Sequence, residues 1–209
     1  MPNWCHTEYV FEGSKSEVLK LHQKLSQLLS REYKSTVDND FGNGWLGDVL
    51  INHGFDWKKV SCRGFIDDLY DVVTEENTTY FKLATSTAWG PLNDMWDIII
   101  ENHYPSIKYV YLAIEHGCSL YLNSDTEGKY YDERYLLDLV IPEDVFGEVI
   151  DVYEFYTSEE ELLTDIEKFI GKGCKGINEA RDYITEQAKK KYSDPYDFYV
   201  VIAEFDLVS

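Results

Sequence analysis

Four cysteines, five histidines and 39 carboxylates are the side chains here with the chemistry for catalysis or metal binding. Cys5, Cys62, Cys118 and Cys174 stand far apart and form no C-x-x-C pair. The histidines, His6, His22, His53, His103 and His116, include no H-E-x-x-H. One zinc-like set converges only through a fold. If a fourth strand runs antiparallel beside the first, His116 and Cys118 come close to Cys5 and His6. Two Cys and two His suit tetrahedral zinc, but structural zinc sites usually show a close ligand pair in each strand or knuckle. Two buried cysteines beside solvent-facing histidines is the simpler reading, and no metal or cofactor is expected. Carboxylates are abundant, yet abundance is not an acid–base pair, which needs environments that drive two pKa values apart. No G-x-S-x-G elbow, Walker loop or kinase set is present, so no catalytic residue is assigned.

Two loops match binding motifs in letters only. Gly171-Lys172-Gly173-Cys174-Lys175-Gly176 reads G-x-G-x-x-G. A dinucleotide site needs a strand before that run, and here a helical pattern precedes it. Lys168, Lys172 and Lys175 do gather near the next helix start, where free N–H groups attract anions. Asn123-Ser124-Asp125-Thr126-Glu127-Gly128 resembles the start of a calcium loop, but the twelfth position is Arg134 rather than a bidentate Glu. A hairpin loop is the better reading.

The aromatic residues carry more information. Trp4, Trp45, Trp57, Trp89 and Trp96 are core candidates, with Trp89 expected as a buried wedge between strand and helix. Tyr109, Tyr111, Tyr121, Tyr130, Tyr131 and Tyr135 fall on neighbouring expected strands. On one open face they would form a docking surface, because aromatic residues dominate interface hot spots. The competing reading is that the C-terminal segment covers that face.

The elements that must position these residues follow from periodicity. Residues 4–12 read as a strand. Ser14 and Glu17 form an S-x-x-E capping box ahead of Val18, Leu21, Leu25 and Leu28, one helical stripe running to about Glu32. Residues 45–53 suit a short helix. Extended runs follow near 60–73 and 78–86, joined through Thr74-Glu75-Glu76-Asn77. Pro91 opens a helix that Tyr104-Pro105 closes. Strands follow at 107–115, 120–123 and 130–140. The expected class is α+β: a ferredoxin-like βαββαβ antiparallel sandwich widened by an extra hairpin, over residues 1–140. Pro142 and an acidic stretch mark the start of an appendage, 141–209. Its order is β-α-α-β, with a second capping box at Ser158 and Glu161 and a final strand at 198–205. It is expected to pack on the core.

With 209 residues the chain can bury a sizeable core, and its aromatic content of 15% excludes a disordered polyanion. Net charge is −20 and unevenly spread: −1 over residues 1–60, −8 over 61–128 and −11 over 129–209. Such a surface repels nucleic-acid phosphates and anionic membranes, so neither is an expected partner. No apolar run has the length of a membrane helix and no signal peptide opens the sequence, so a cytoplasmic location with free thiols is expected.

Three segments carry a family resemblance. They are Met1-Pro2-Asn3-Trp4-Cys5, the Thr87-x-Trp89-x-Pro91 element before the second main helix, and Glu115-His116-Gly117-Cys118 after the next strand. Together they resemble the YubB ferredoxin-like family, proteins of unknown function often encoded by phages, plasmids and related mobile elements. The resemblance covers about residues 1–140 and makes Trp4, Cys5, Trp89, Pro91, Glu115 and Gly117 family-motif positions. The chain departs from the pattern at His6-Thr7-Glu8. The resemblance implies a fold and a mobile-element association, but no reaction. The expected function is therefore a non-enzymatic protein-interaction module of mobile-element origin with an unidentified protein partner. The alternative is an acidic decoy that mimics nucleic-acid charge and blocks a host DNA-binding or defence protein. Its array would draw on Asp67, Asp68, Asp71, Glu75 and Glu76, then on Glu143, Asp144, Glu148, Asp151, Glu154 and Glu159 to Glu161.

Overall fold

A computed structural model describes residues 3–30, 32–35, 37, 41–76, 78–194 and 196–208. Met1 and Pro2 of the first motif and Asn77 of the expected hairpin link lie outside the described residues. The chain is α+β and divides into two compact units, Met1–Asp125 and Thr126–Ser209.

The first unit runs β1 (Trp4–Gly13), α1 (Lys15–Leu29), α2 (Leu46–Asn52), β2 (Gly64–Leu69), β3 (Val73–Glu75), β4 (Thr78–Ala88), α3 (Asn93–His103), β5 (Lys108–Glu115) and β6 (Leu120–Asn123). Its antiparallel strands lie in the order β6-β5-β1-β4-β2, with β3 also pairing β4. Period-two alternation assigns the faces. Cys5, Thr7, Tyr9 and Phe11 of β1 stand opposite Thr87, Thr85, Leu83 and Phe81 of β4, and all eight are buried. Trp96 of α3 meets Phe11 edge-on at 5.0 Å, and His22 of α1 meets Phe81 at 5.3 Å. Both helices therefore cover the same face. The Val18, Leu21, Leu25 and Leu28 stripe is buried as its spacing predicts.

Two local expectations are corrected. Ser14 makes no side-chain cap to α1. Glu17 instead accepts hydrogen bonds from the backbone N–H and the hydroxyl of Ser106, tying the helix start to the turn before β5. Trp89 is not a buried wedge but 53% exposed. Its φ of 76° is left-handed and breaks the strand alternation, so the inward position at this corner belongs to Thr87. The Thr87 hydroxyl donates to the Gly90 carbonyl at 2.7 Å and holds the corner. The helix begins after Pro91, with Leu92 as its N-cap.

The second unit runs β7 (Tyr135–Ile141), α4 (Glu143–Phe146), β8 (Ile150–Tyr156), α5 (Glu159–Ile170), α6 (Ile177–Lys189) and β9 (Tyr199–Glu204). β7 is the centre of an antiparallel sheet ordered β8-β7-β9. This moves the expected boundary of 140/141 to Asp125/Thr126. The strand near 130–140 was expected to widen the first sheet. Instead Leu137, Leu139 and Ile141 bury one face against Leu162 and Ile166 of α5 and Ile184 of α6. Pro142 caps the four-residue α4 rather than parting two domains.

Candidate functional site

The tyrosines do not form one face. Tyr109 and Tyr111 point into the helix-covered core, with ring centres 5.7 and 5.8 Å from that of Tyr9. Burial and the Asp97 carboxylate, which accepts the Tyr109 hydroxyl at 2.6 Å, push the Tyr109 phenol far above its ordinary range. Tyr121 pairs with Ile114, whose position in the alternation puts it on the opposite face of the sheet. Its hydroxyl lies 3.1 Å from Nδ1 of His116. Tyr130 and Tyr131 precede β7 in the second unit, and Tyr131 is buried.

Residues of the three motif segments lie together at one end of the first sheet. Trp4 opens β1, and the Trp89 backbone N–H donates to the Asn3 carbonyl at 2.9 Å. Glu115 ends β5 buried, and its carboxylate accepts the N–H groups of Gly117 and Cys118 at 2.7 and 2.6 Å. The acid–x–Gly spacing thus has a physical reason: a side-chain anion closes the turn that follows the strand. A Cβ at Gly117 would press on the Asn3 amide and sit 2.9 Å from Glu115 Oε1, so a side chain there would displace both. Burial, with the nearby Glu115 charge adding to it, pushes the Cys5 thiol up, which opposes a nucleophilic role.

The zinc-like set does not converge. Cys5 faces the core with its thiol 3.5 Å from the Thr7 hydroxyl, whereas His6 faces the other side and meets Ser86 at 3.0 Å. The Asn3 amide contacts Cys118 Sγ. No group of three or more His, Cys, Asp or Glu is placed to hold a metal among the described residues. Ser86 also donates to Asp67 at 2.7 Å. With the Ser86 hydroxyl turned to Asp67, the His6 tautomer protonated at Nδ1 completes the contact as donor to Ser86, the reverse of the order in a catalytic triad. At the glycine-rich loop the anion places are already filled. Glu179 accepts the Lys175 N–H, and Glu159 accepts the Ile177 N–H at the start of α6.

Beside the motif end, and missed by the sequence reading, lies an open groove of about 750 Å³. That volume is within the range of ligand pockets. Trp4 and Phe65 form one wall, their ring centres 6.2 Å apart. Trp45 meets Phe41 at 4.9 Å and Trp57 edge-on at 5.2 Å. Glycines make these contacts possible. Trp45 precedes α2 and its indole lies over Gly47, where any Cβ would strike the ring. Gly64 opens β2 with no room for a Cβ, which would come 2.6 Å from the Ser86 carbonyl. The loop between them is closed by Asp56, which accepts the Lys58 N–H, and by the Cys62 thiol on the Trp57 carbonyl. Burial pushes the Cys62 thiol up as well. Trp45 is buried, while Trp4 is 41% and Phe41 52% exposed. Lys58 and Arg63 border the groove, the Lys58 ammonium 5.6 Å from the Trp57 ring centre. Among the described residues no carboxylate pairs with either side chain.

The acids do not make one array within the second unit. Asp151 and Glu154 point to opposite faces of the same strand. Local donors occupy others: Tyr156 holds Glu154 and Asp165, Thr157 holds Glu161, and Tyr192 holds Asp144.

No family model, curated protein or solved structure matches the chain. No helix among the described residues is long and apolar enough to cross a membrane.

Proposed function

We propose that the protein is a non-enzymatic interaction module that docks a protein partner in the aromatic groove of its first unit. The observation that carries this reading is the exposure of Trp4 and Phe41 beside Phe65 and Trp57, in a groove bordered by two cations that have no carboxylate partner among the described residues. Exposed aromatic residues around a concavity are the usual anchors of binding. The strand order β5-β1-β4-β2, with α1 and α3 on one face, supports a ferredoxin-like core. The joining of Trp4, Cys5, Trp89, Glu115 and Gly117 at one end of that core supports kinship with the YubB ferredoxin-like family. A mobile-element origin and a cytoplasmic site of action follow from that kinship and from the free cysteines. Burial raises the phenols of Tyr9, Tyr104 and Tyr109 and the thiols of Cys5 and Cys62, and the Ser86 hydroxyl is turned to Asp67 rather than to His6, so binding is the better reading than catalysis.

Site-specific crosslinking in the native cells tests this. A benzoylphenylalanine replacing Phe41 is expected to capture one polypeptide that the same group replacing Tyr196, 94% exposed in the second unit, does not. Equal capture at both positions, or none at Phe41, would overturn the docking role of the groove.

A further inference from the structure

We infer that the groove takes an aromatic side chain flanked by carboxylates, presented on a short acidic segment of the partner; this rests on the groove being the docking site. Two features of the wall set that chemistry. The first is the arrangement of rings. Trp4 and Phe65 are tilted at 46°, and Trp57 stands at 76° to Trp45. Rings at several inclinations offer an incoming ring both stacked and edge-on contacts, the geometries aromatic pairs prefer.

The second feature is charge. Elsewhere some cations pair with carboxylates: Lys82 with Glu8, Lys168 with Asp165, Lys172 with Glu179, Lys191 with Asp144. Neither Lys58, whose ammonium faces the Trp57 ring, nor Arg63 pairs with a carboxylate among the described residues. Carboxylates of the partner complete them, and a guanidinium can take one through two parallel hydrogen bonds. A cationic ligand, which an aromatic cage otherwise suits, would meet both as like charges. A long polyanion is repelled by the net charge of −20. The ligand's charge must therefore be confined to the residues adjoining the ring.

The test is calorimetric titration of the full chain at low salt with four probes. They are a blocked pentapeptide with Phe between Glu residues, its Phe-to-Ala and Glu-to-Lys versions, and adenosine monophosphate. The acidic Phe peptide is expected to bind, with both altered peptides weaker by about tenfold or more. Combining Lys58→Gln with Arg63→Gln is expected to abolish the preference for Glu over Lys flanks. Both side chains are exposed, so an unchanged melting midpoint will separate this loss from unfolding. A Lys-flanked peptide that binds as well as the Glu-flanked one would overturn the inference and leave the groove as a docking site. Binding of adenosine monophosphate alone, or of no peptide, would overturn both.

Discussion

At the scale of single residues, burial decides what each group can do. His53 is 4% exposed, with Nδ1 on the Val49 carbonyl at 2.7 Å and Nε2 on the Tyr104 hydroxyl at 3.0 Å. Burial lowers its pKa to about 4, aided by the charges of Lys24, His103 and Lys20. Above pH ~6.5 the ring is neutral in folded and unfolded chains, and its stabilising effect is complete. As pH falls below that value the unfolded chain takes up the proton first, and stability is lost until the folded ring titrates near 4. By pH 5 the loss is expected to reach roughly 2 kcal/mol, read from urea unfolding between pH 7.5 and 5. A His53→Gln variant should lose most of this slope; an unchanged slope would refute the assignment to His53. The two tryptophans around α3 make an opposite pair. Trp96 is fully buried against Tyr9 and Phe11, and Trp96→Ala should cost about 3–5 kcal/mol. Trp89→Ala should cost less than ~1 kcal/mol, since the exposed indole loses little apolar burial.

At the scale of elements, the turn after β5 shows how far the sequence could be read. The Glu115-x-Gly117 spacing was visible, but its reason was not, because the carboxylate acts through backbone N–H groups that no residue pattern records. Glu115→Ala is expected to cost about 1–3 kcal/mol in denaturant unfolding, since two charge-assisted hydrogen bonds are lost. A near-zero cost would mean the turn stands without its anion. Helix stripes such as Val18-Leu21-Leu25-Leu28 were legible because their period is strictly local. Strands β1, β4 and β5 were legible for the same reason, through alternation. The tyrosine face failed because residues sharing one face must agree in register across strands, and Tyr121 falls out of step with Tyr109 and Tyr111. The groove was hidden for a related reason. Its rings come from β1, a loop, the start of α2 and the entry to β2, positions up to 61 residues apart from Trp4 to Phe65, and only pairing brings them together.

At the scale of the whole molecule, charge sets the conditions under which the groove works. A net charge of −20 repels itself in the compact state, and salt screens that repulsion. The melting midpoint is expected to rise between 0.05 and 0.5 M sodium chloride; a fall would mean that attractive pairs outweigh the repulsion. The second unit was misread at its boundary because Pro142 and the surrounding acids resemble a linker, yet they lie between two strands that pair along their whole length. Trp4, Trp45 and Trp57 line the groove proposed for docking, while Trp89 and Trp96 stand outside it. Nitrogen-15 NMR reads all five indole N–H signals at once during titration with the acidic Phe peptide. Docking in the groove predicts shifts at Trp4, Trp45 and Trp57, with the signals of Trp89 and Trp96 unmoved. Shifts confined to Trp89, or shared equally by all five, would contradict it.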